Sequence, residues 1–359
     1  MSEKTAPIET DALVIGAGPV GLFQVFQLGL LEIRAHVVDS LAHVGGQCAE
    51  LYGDKPIYDI PSVDVCTGRE LAERLLRQIA PFKVPMHLGE VVVALQKRDD
   101  GRFSIETRRG AAGGSSFIAR TVFIAGGVGA FQPRKIKVPG LDRFEGSQLF
   151  YQAEDGATFP TQHLVVMGGD EGALEAALLF AQAENDAPKS VTLLHRREVL
   201  DAPPDKIERM KSLCAAGRMR FVVGQITGCE VNGDRLDALL VTDPQARTDR
   251  LAVDALLVLL GLSPKLGPIA DWGLTLERKQ VPVDTERFAS NIPGVFAVGD
   301  INTYPGKKKL IVCGFHEATL AAWAAAEIVH PEKRLALQYT TTSPRLHQLL
   351  GVATPSQAD

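Results

Sequence analysis

Two stretches of this 359-residue chain carry residues that can hold an anion on bare backbone. The first, "ALVIGAGPVGLFQVF", places Gly16-x-Gly18-x-x-Gly21 directly after a short apolar run. In a strand–turn–helix, the first glycine permits the tight turn, the second lets the backbone approach a pyrophosphate, and the third lets helix pack on strand. The helix N-terminus adds unpaired N–H groups and a dipole that favours negative charge. Asp39 closes the next apolar run, "AHVVD", a little over ~20 residues on, where a carboxylate accepts from ribose hydroxyls. The second stretch, "LVVMGGDEGALEAALLF", repeats the arrangement as Gly168-x-Asp170-x-x-Ala173, with Gly169 between. Its following run, "SVTLL", ends not in an acid but in His195-Arg196-Arg197. Guanidinium groups at that point can pair with the 2′-phosphate of NADP, which a carboxylate would repel.

The elements that must position these residues follow from the pattern. "ALVI", "AHVV", "HLVVM" and "SVTLL" read as buried parallel strands, and the runs after each glycine turn have helical apolar spacing. "TVFIAGGVGAFQPR" and "GVFAVGDINTYPG" are two further strands with glycine-rich exits, the second ending at Asp300. Residues near the C-terminus therefore complete a fold begun at the N-terminus, with a second nucleotide unit inserted. The expected fold class is α/β, with two Rossmann-like domains: 1–130 with 290–359, and 131–289. The segments "VVVALQKRDDGRFSIETRRG" and "RFVVGQITGCEVNGDRLDALLVTD" read as β-ribbons, one for each domain.

Composition narrows the function. A hydrophobic content of 45% is that of an ordinary globular protein, and a net charge of −5 argues against a general nucleic-acid binder. No apolar run reaches the roughly 18 residues of a membrane helix, and "MSEKTAPIETD" lacks a signal-peptide pattern. A cytoplasmic protein is expected. The five cysteines, Cys48, Cys66, Cys214, Cys229 and Cys313, form no C-x-x-C pair, so neither a zinc site nor a local redox disulfide is indicated.

The motifs "GAGPVGLF", "VGGQCAELYGDKPIYDIP", "GVGAFQPRK", "TLLHRRE", "LGPIADWGL", "VFAVGDINTYPGK" and "LQYTTTSPRLHQLLG" span nearly the whole chain. Together they resemble the thioredoxin-reductase-like flavoproteins, and more closely the bacterial ferredoxin (flavodoxin)–NADP reductases of that fold. The dithiol branch has a C-x-x-C pair before its second nucleotide turn; here the region "GSQLFYQAEDGATFPTQ" has no cysteine. The resemblance implies FAD on the first domain, with Gly16, Gly18 and Gly21 at its pyrophosphate and Asp39, more often Glu in the family, at its ribose. It implies Gln47 and Tyr52 near the flavin or ribityl chain, Val92 in the adenine pocket, and Phe131 and Asp300 beside the isoalloxazine. Thr341 in the C-terminal tail would reach the flavin, of the partner subunit in a homodimer. NADPH would give a hydride to the flavin, which would pass electrons singly to ferredoxin or flavodoxin. No catalytic acid or base is needed, and no metal, nucleic acid or membrane is implied.

Several residues keep two readings. "GGQC" is similar to the redox motif of disulfide reductases, but Gly53 stands where their second cysteine would be, so Cys48 reads as an inert thiol. His316 would shield the flavin or simply pack. Lys307, Lys308 and Lys309, with Arg134, Lys135 and Lys137, would form a basic docking face for an acidic carrier or a solvated run. At the second turn the family expects Gly at 170 and Asp at 171, whereas this chain has Asp170 and Glu171. A carboxylate there would oppose the NADPH pyrophosphate by about 1–4 kcal/mol. Either NADPH binds more weakly or in a shifted pose, held by Arg196 and Arg197, or the chain is a flavoprotein using another donor, or a redox-responsive binding protein. The simplest reading of the two acids is a cap on the helix N-terminus, which would occupy the anion site.

Overall fold

The computed structural model describes residues 6–110, 113–151, 158–160, 162–334 and 336–353. The chain forms two compact units, Met1–Ala130 with Pro264–Asp359, and Phe131–Ser263.

The first unit opens with β1 (Ile8–Ile15), α1 (Pro19–Leu30) and β2 (Ala35–Asp39), then α2 (Gly46–Tyr52) and α3 (Gly68–Ile79). Ala12, Leu13 and Val14 of β1 are all fully buried, as expected of a parallel strand covered on both faces, which is why this run is apolar without alternation. β3 (Met86–Leu88), β4 (Val91–Lys97), β5 (Phe103–Arg108) and β6 (Ser116–Ile124) complete the N-terminal part. The strands lie in the order β3-β2-β1-β6-β5-β4. β1 pairs parallel with β2 and β6, while β4–β5 and β5–β6 are antiparallel, so the first expected ribbon is present.

The second unit contains β7 (Leu149–Phe150), β8 (His163–Met167), α4 (Glu171–Gln182), β9 (Ser190–His195), α5 (Pro204–Ala215) and β10 (Arg220–Val223). β11 (Gln225–Asn232), β12 (Arg235–Thr242) and β13 (Thr248–Ala252) form an antiparallel three-stranded sheet, the second expected ribbon. β14 (Ala255–Val258) returns to the parallel sheet, whose order is β7-β14-β8-β9-β10.

The return to the first unit comes at Pro264 rather than near residue 290. Ile269, Trp272, Leu274 and Val281 already pack with Leu13, Val122 and Ile124 in the first unit's core. The "NIPG" turn was the conspicuous glycine–proline signal, but it lies inside this unit and only introduces β15 (Val295–Ala297), which adds parallel to the C-terminal half of β6. The chain ends with α6 (Ile311–Val329) and α7 (Pro344–Leu350). Ala318, Ala321, Ala322 and Ala325 of α6 are fully buried. Their small side chains let α6 lie close in the core that also holds Leu22, Val25 and Leu28 of α1.

Candidate functional site

The three glycines of the first turn are in three different situations. Gly16 has φ +116°, and a Cβ there would stand 2.4 Å from the Ala125 carbonyl oxygen. A Cβ on Gly21 would strike the Gly16 carbonyl oxygen at 1.9 Å. Both are needed for the strand–turn–helix itself. Gly18 is the N-cap of α1 and caps it with no side chain. A Cβ there would meet only the Gly46 Cα, at 3.9 Å. The protein therefore has no packing reason for glycine at 18. It leaves bare backbone at the N-terminus of α1, a place where a dinucleotide pyrophosphate could approach.

Asp39 is buried, and its two carboxylate oxygens accept from the backbone N–H groups of Ala17, at 2.6 Å, and Leu41, at 2.8 Å. Burial pushes its carboxyl upward and the two amides pull it back. Asp39 thus braces the glycine turn, and each oxygen keeps a further lone pair for a ribose hydroxyl. Past it, Glu90 N donates to Asp39 O at 2.9 Å, and buried Val92 begins the antiparallel ribbon beside a register shift.

Gln47 and Tyr52 lie on α2, which follows the left-handed Gly45. The Gln47 side chain lies against Gly127, where a Cβ would stand 2.6 Å from its Nε2. The Tyr52 hydroxyl and the Cys48 Sγ share a hydrogen bond of 3.3 Å. Burial pushes the Cys48 thiol up, against the pull of the Tyr52 hydrogen bond. Burial likewise raises Tyr52, and the Asp300 carboxylate bears on both groups. Asp300 sits in a one-turn 3-10 segment, Gly299–Ile301, between β15 and α6. Phe131 lies on a short strand, Ala130–Pro133; its side chain is outside the described residues. Thr341 is exposed, in the turn before α7.

His316 is exposed and meets Phe288 edge-on at 6.3 Å. Its neighbour Glu317 is the residue that the sequence reading missed. Glu317 is completely buried and accepts from Gly299 N, Asn302 Nδ2, the Tyr304 hydroxyl and Lys307 Nζ. A signal existed: in "EATLAAWAAA" the acid stands four and eight residues before Ala321 and Ala325, on the apolar stripe, where a charge must be paired. Its partner Lys307 is only 7% exposed, which removes it from the expected basic face. Lys135 is paired with Glu145 at 2.6 Å. Lys308 and Lys309 remain exposed.

In the second unit, a Cβ on Gly168 would stand 2.3 Å from the Leu259 carbonyl oxygen, and one on Gly169 would overlap the His195 ring at 2.1 Å. Ala173, in place of the third glycine, is fully buried. Asp170 is the N-cap of α4, and its Oδ1 accepts from the Ala173 N–H at 3.0 Å. The acid is thus a helix cap, folded onto the amides that an anion would use. Glu171 points elsewhere, paired with Lys206 at 2.6 Å, and Glu175 joins the same lysine. Arg196 and Arg197 are exposed beyond β9, with no ion-pair partner among the described residues. Burial, with the two arginines, lowers the His195 pKa against the pull of Asp170.

Among the described residues, no cluster of side chains could hold a metal ion, and no helix is long and apolar enough to cross a membrane.

Residues 10–326 match the family described as pyridine nucleotide-disulphide oxidoreductase. The chain is similar to the ferredoxin–NADP reductase of Methylibium petroleiphilum, 59% identical over 97% of this chain and 94% of the relative. It is similar too to that of Albidiferax ferrireducens, 57% identical over 97% and 98%. Among solved structures it resembles thioredoxin reductase of Lactococcus lactis, TM-score 0.56 at 23% identity, covering 90% of this chain and 99% of that one. The T. acidophilum thioredoxin reductase gives 0.56 at 21%, covering 89% and 98%. These structures carry the fold alone.

Proposed function

The chain belongs to the ferredoxin–NADP reductases within the pyridine nucleotide-disulphide oxidoreductase family, and from that premise we propose which of its residues do the work. The enzyme transfers electrons between NADPH and ferredoxin with FAD as its cofactor. When bound, FAD supplies the chemistry, taking a hydride from NADPH and giving electrons singly to the carrier. The residues bind and orient. Gly16, Gly18 and Gly21 hold the FAD pyrophosphate, Asp39 the ribose and Val92 the adenine side. Gln47, Tyr52, Phe131 and Asp300 line the flavin end. Gly168, Gly169 and Ala173 form the NADP turn, and Arg196 and Arg197 take the 2′-phosphate. The observation that carries this reading is that packing does not require glycine at 18, beside two glycines that the turn itself demands. A flavoprotein that has given up its pyridine nucleotide is not favoured, because the similarity to named ferredoxin–NADP reductases runs through both units.

The tail supports a homodimer. α7 is held to the C-terminal end of α1 by the ion pair between Arg345 and Glu32. The Gly18 turn is at the other end of α1, about 18 Å away for 12 residues. The Asp300 turn lies before the N-terminus of α6, whose 19 residues span about 28 Å before the tail begins. Thr341 therefore stands far from its own chain's flavin site, while Leu337 and Tyr339 beside it are each 64% exposed. A second copy provides a flavin for Thr341 and cover for these side chains. Exposed Lys308 and Lys309, just past the Asp300 turn, offer charge to ferredoxin or flavodoxin. The unpaired cysteines fit the reducing cytoplasm.

The test is turnover with NADPH and three acceptors. Ferredoxin and flavodoxin should be reduced and thioredoxin should not, with Cys48→Ser unchanged. Thioredoxin reduction, or loss of ferredoxin reduction in Cys48→Ser, would overturn the reading.

A further inference from the structure

The Gly299–Asn302 turn is held by several groups packed behind it. Gly299 has φ +79°, and its N–H donates to Glu317 Oε2 at 2.7 Å. Its carbonyl accepts from Lys307 Nζ at 2.9 Å. The carbonyls of Asp300 and Asn302 both accept from Gln280 Nε2, at 3.2 and 2.7 Å. The Asn302 amide donates to Ala297 O and to Glu317, each at 2.8 Å. Lys307 and Glu317 close the set with an ion pair at 2.5 Å, 7% and 0% exposed. On the other side, Val20 of α1 fills the space around Gly299 and Gly314. The Asp300 side chain is the exception: among the described residues it has no hydrogen-bond partner.

A pair of this kind is expensive as a stability device, since a well-packed apolar pair serves as well or better. Its geometry has another use. One charge takes the N–H of Gly299 and the other takes its C=O, so the orientation of the following peptide, and with it Asp300, is fixed. We propose that Lys307 and Glu317 are positioning residues for the reaction: their buried pair clamps Gly299 so that the turn presents Asp300 to the flavin. The proposal rests on the reading of Asp300 as a flavin contact. Neither residue touches the cofactor; both act through the turn.

The experiment is FAD titration of apoprotein, followed by flavin fluorescence quenching and by the visible spectrum of the bound flavin. The variants are Lys307→Met, Glu317→Gln, Asp300→Ala, Gly18→Asp and Val329→Ala, the last a cavity at the far, buried end of α6. Lys307→Met should weaken FAD at least tenfold and shift the visible bands of what remains bound. Val329→Ala should lower Tm but leave affinity within about twofold and the bands unmoved. Should Lys307→Met not fold, Glu317→Gln is read in the same way. FAD affinity of Lys307→Met within twofold of wild type, with Gly18→Asp flavin-free, would overturn the clamp and leave the FAD site standing. Equal weakening by Val329→Ala would overturn it too, as a plain loss of stability. Unchanged affinity and visible bands in Asp300→Ala would instead bring down the reading of Asp300 beneath it, and retention of FAD by Gly18→Asp would bring down the FAD site itself.

Discussion

Asp170 can be tested by charge and by shape separately. Its carboxylate caps α4 through the Ala173 N–H at 3.0 Å, and asparagine caps as well as aspartate. Asp170→Asn therefore removes the charge and keeps the cap. Asp170→Gly removes both, at a helix cost of only a few tenths of a kcal/mol. A pyrophosphate held by the same helix end would bring a unit negative charge within roughly 5 Å of the carboxylate. The repulsion is then about 1–3 kcal/mol for effective dielectric constants between those of water and a protein surface. A value of about 1.4 kcal/mol is a factor of ten in affinity. Anaerobic titration with NADPH, following flavin bleaching, should show both variants binding about tenfold or more tightly than wild type. The gain should shrink as salt rises, because the effect is a partly exposed Coulomb term. If glycine gains and asparagine does not, crowding rather than charge limits binding. If both match the wild type, the cap is compatible with bound nucleotide, and the view of this turn as impaired is wrong.

Gly21→Ala should yield insoluble or flavin-free protein, because its Cβ would lie 1.9 Å from the Gly16 carbonyl oxygen; soluble yellow protein would contradict the described turn. Gly18→Asp should fold and lose FAD, since space is available but the charge opposes the pyrophosphate, as read by absorbance of the purified protein. Arg196→Ala with Arg197→Ala should narrow the preference for NADPH over NADH by tenfold or more, consistent with the loss of charge-assisted contacts to a 2′-phosphate, and an unchanged kcat/KM ratio would dismiss the pair. Lys308→Glu with Lys309→Glu should slow ferredoxin reduction at low ionic strength and leave NADPH-driven flavin bleaching alone; identical salt dependence would remove these lysines from the docking surface.

Both glycine turns, and the strands and helices around them, were legible because backbone constraints write directly into sequence. A left-handed φ at Gly16 and a close contact at Gly21 tolerate no other residue, and a strand buried on both faces must be apolar throughout. The boundary at Pro264 was not legible, since Ile269 and Trp272 show their allegiance only through residues distant in the chain. The lysine partner of Glu317 was hidden for a similar reason. "GKKKL" looks like a solvated run, and only folding separates the first lysine, whose side chain is largely buried, from its exposed neighbours. At Asp170 the sequence left two physical outcomes open, a bare obstruction or a helix cap. The rotamer of one side chain separates them, and the structure has the cap.

The central claim is most directly tested by mixing the yellow protein anaerobically with NADPH, and then with oxidised ferredoxin, in a stopped-flow spectrometer. The account predicts flavin bleaching by NADPH, slower bleaching by NADH at equal concentration, and return of the flavin absorbance as ferredoxin is reduced. A flavin that stays oxidised with both nucleotides, or that bleaches but cannot be reoxidised by ferredoxin, would contradict it.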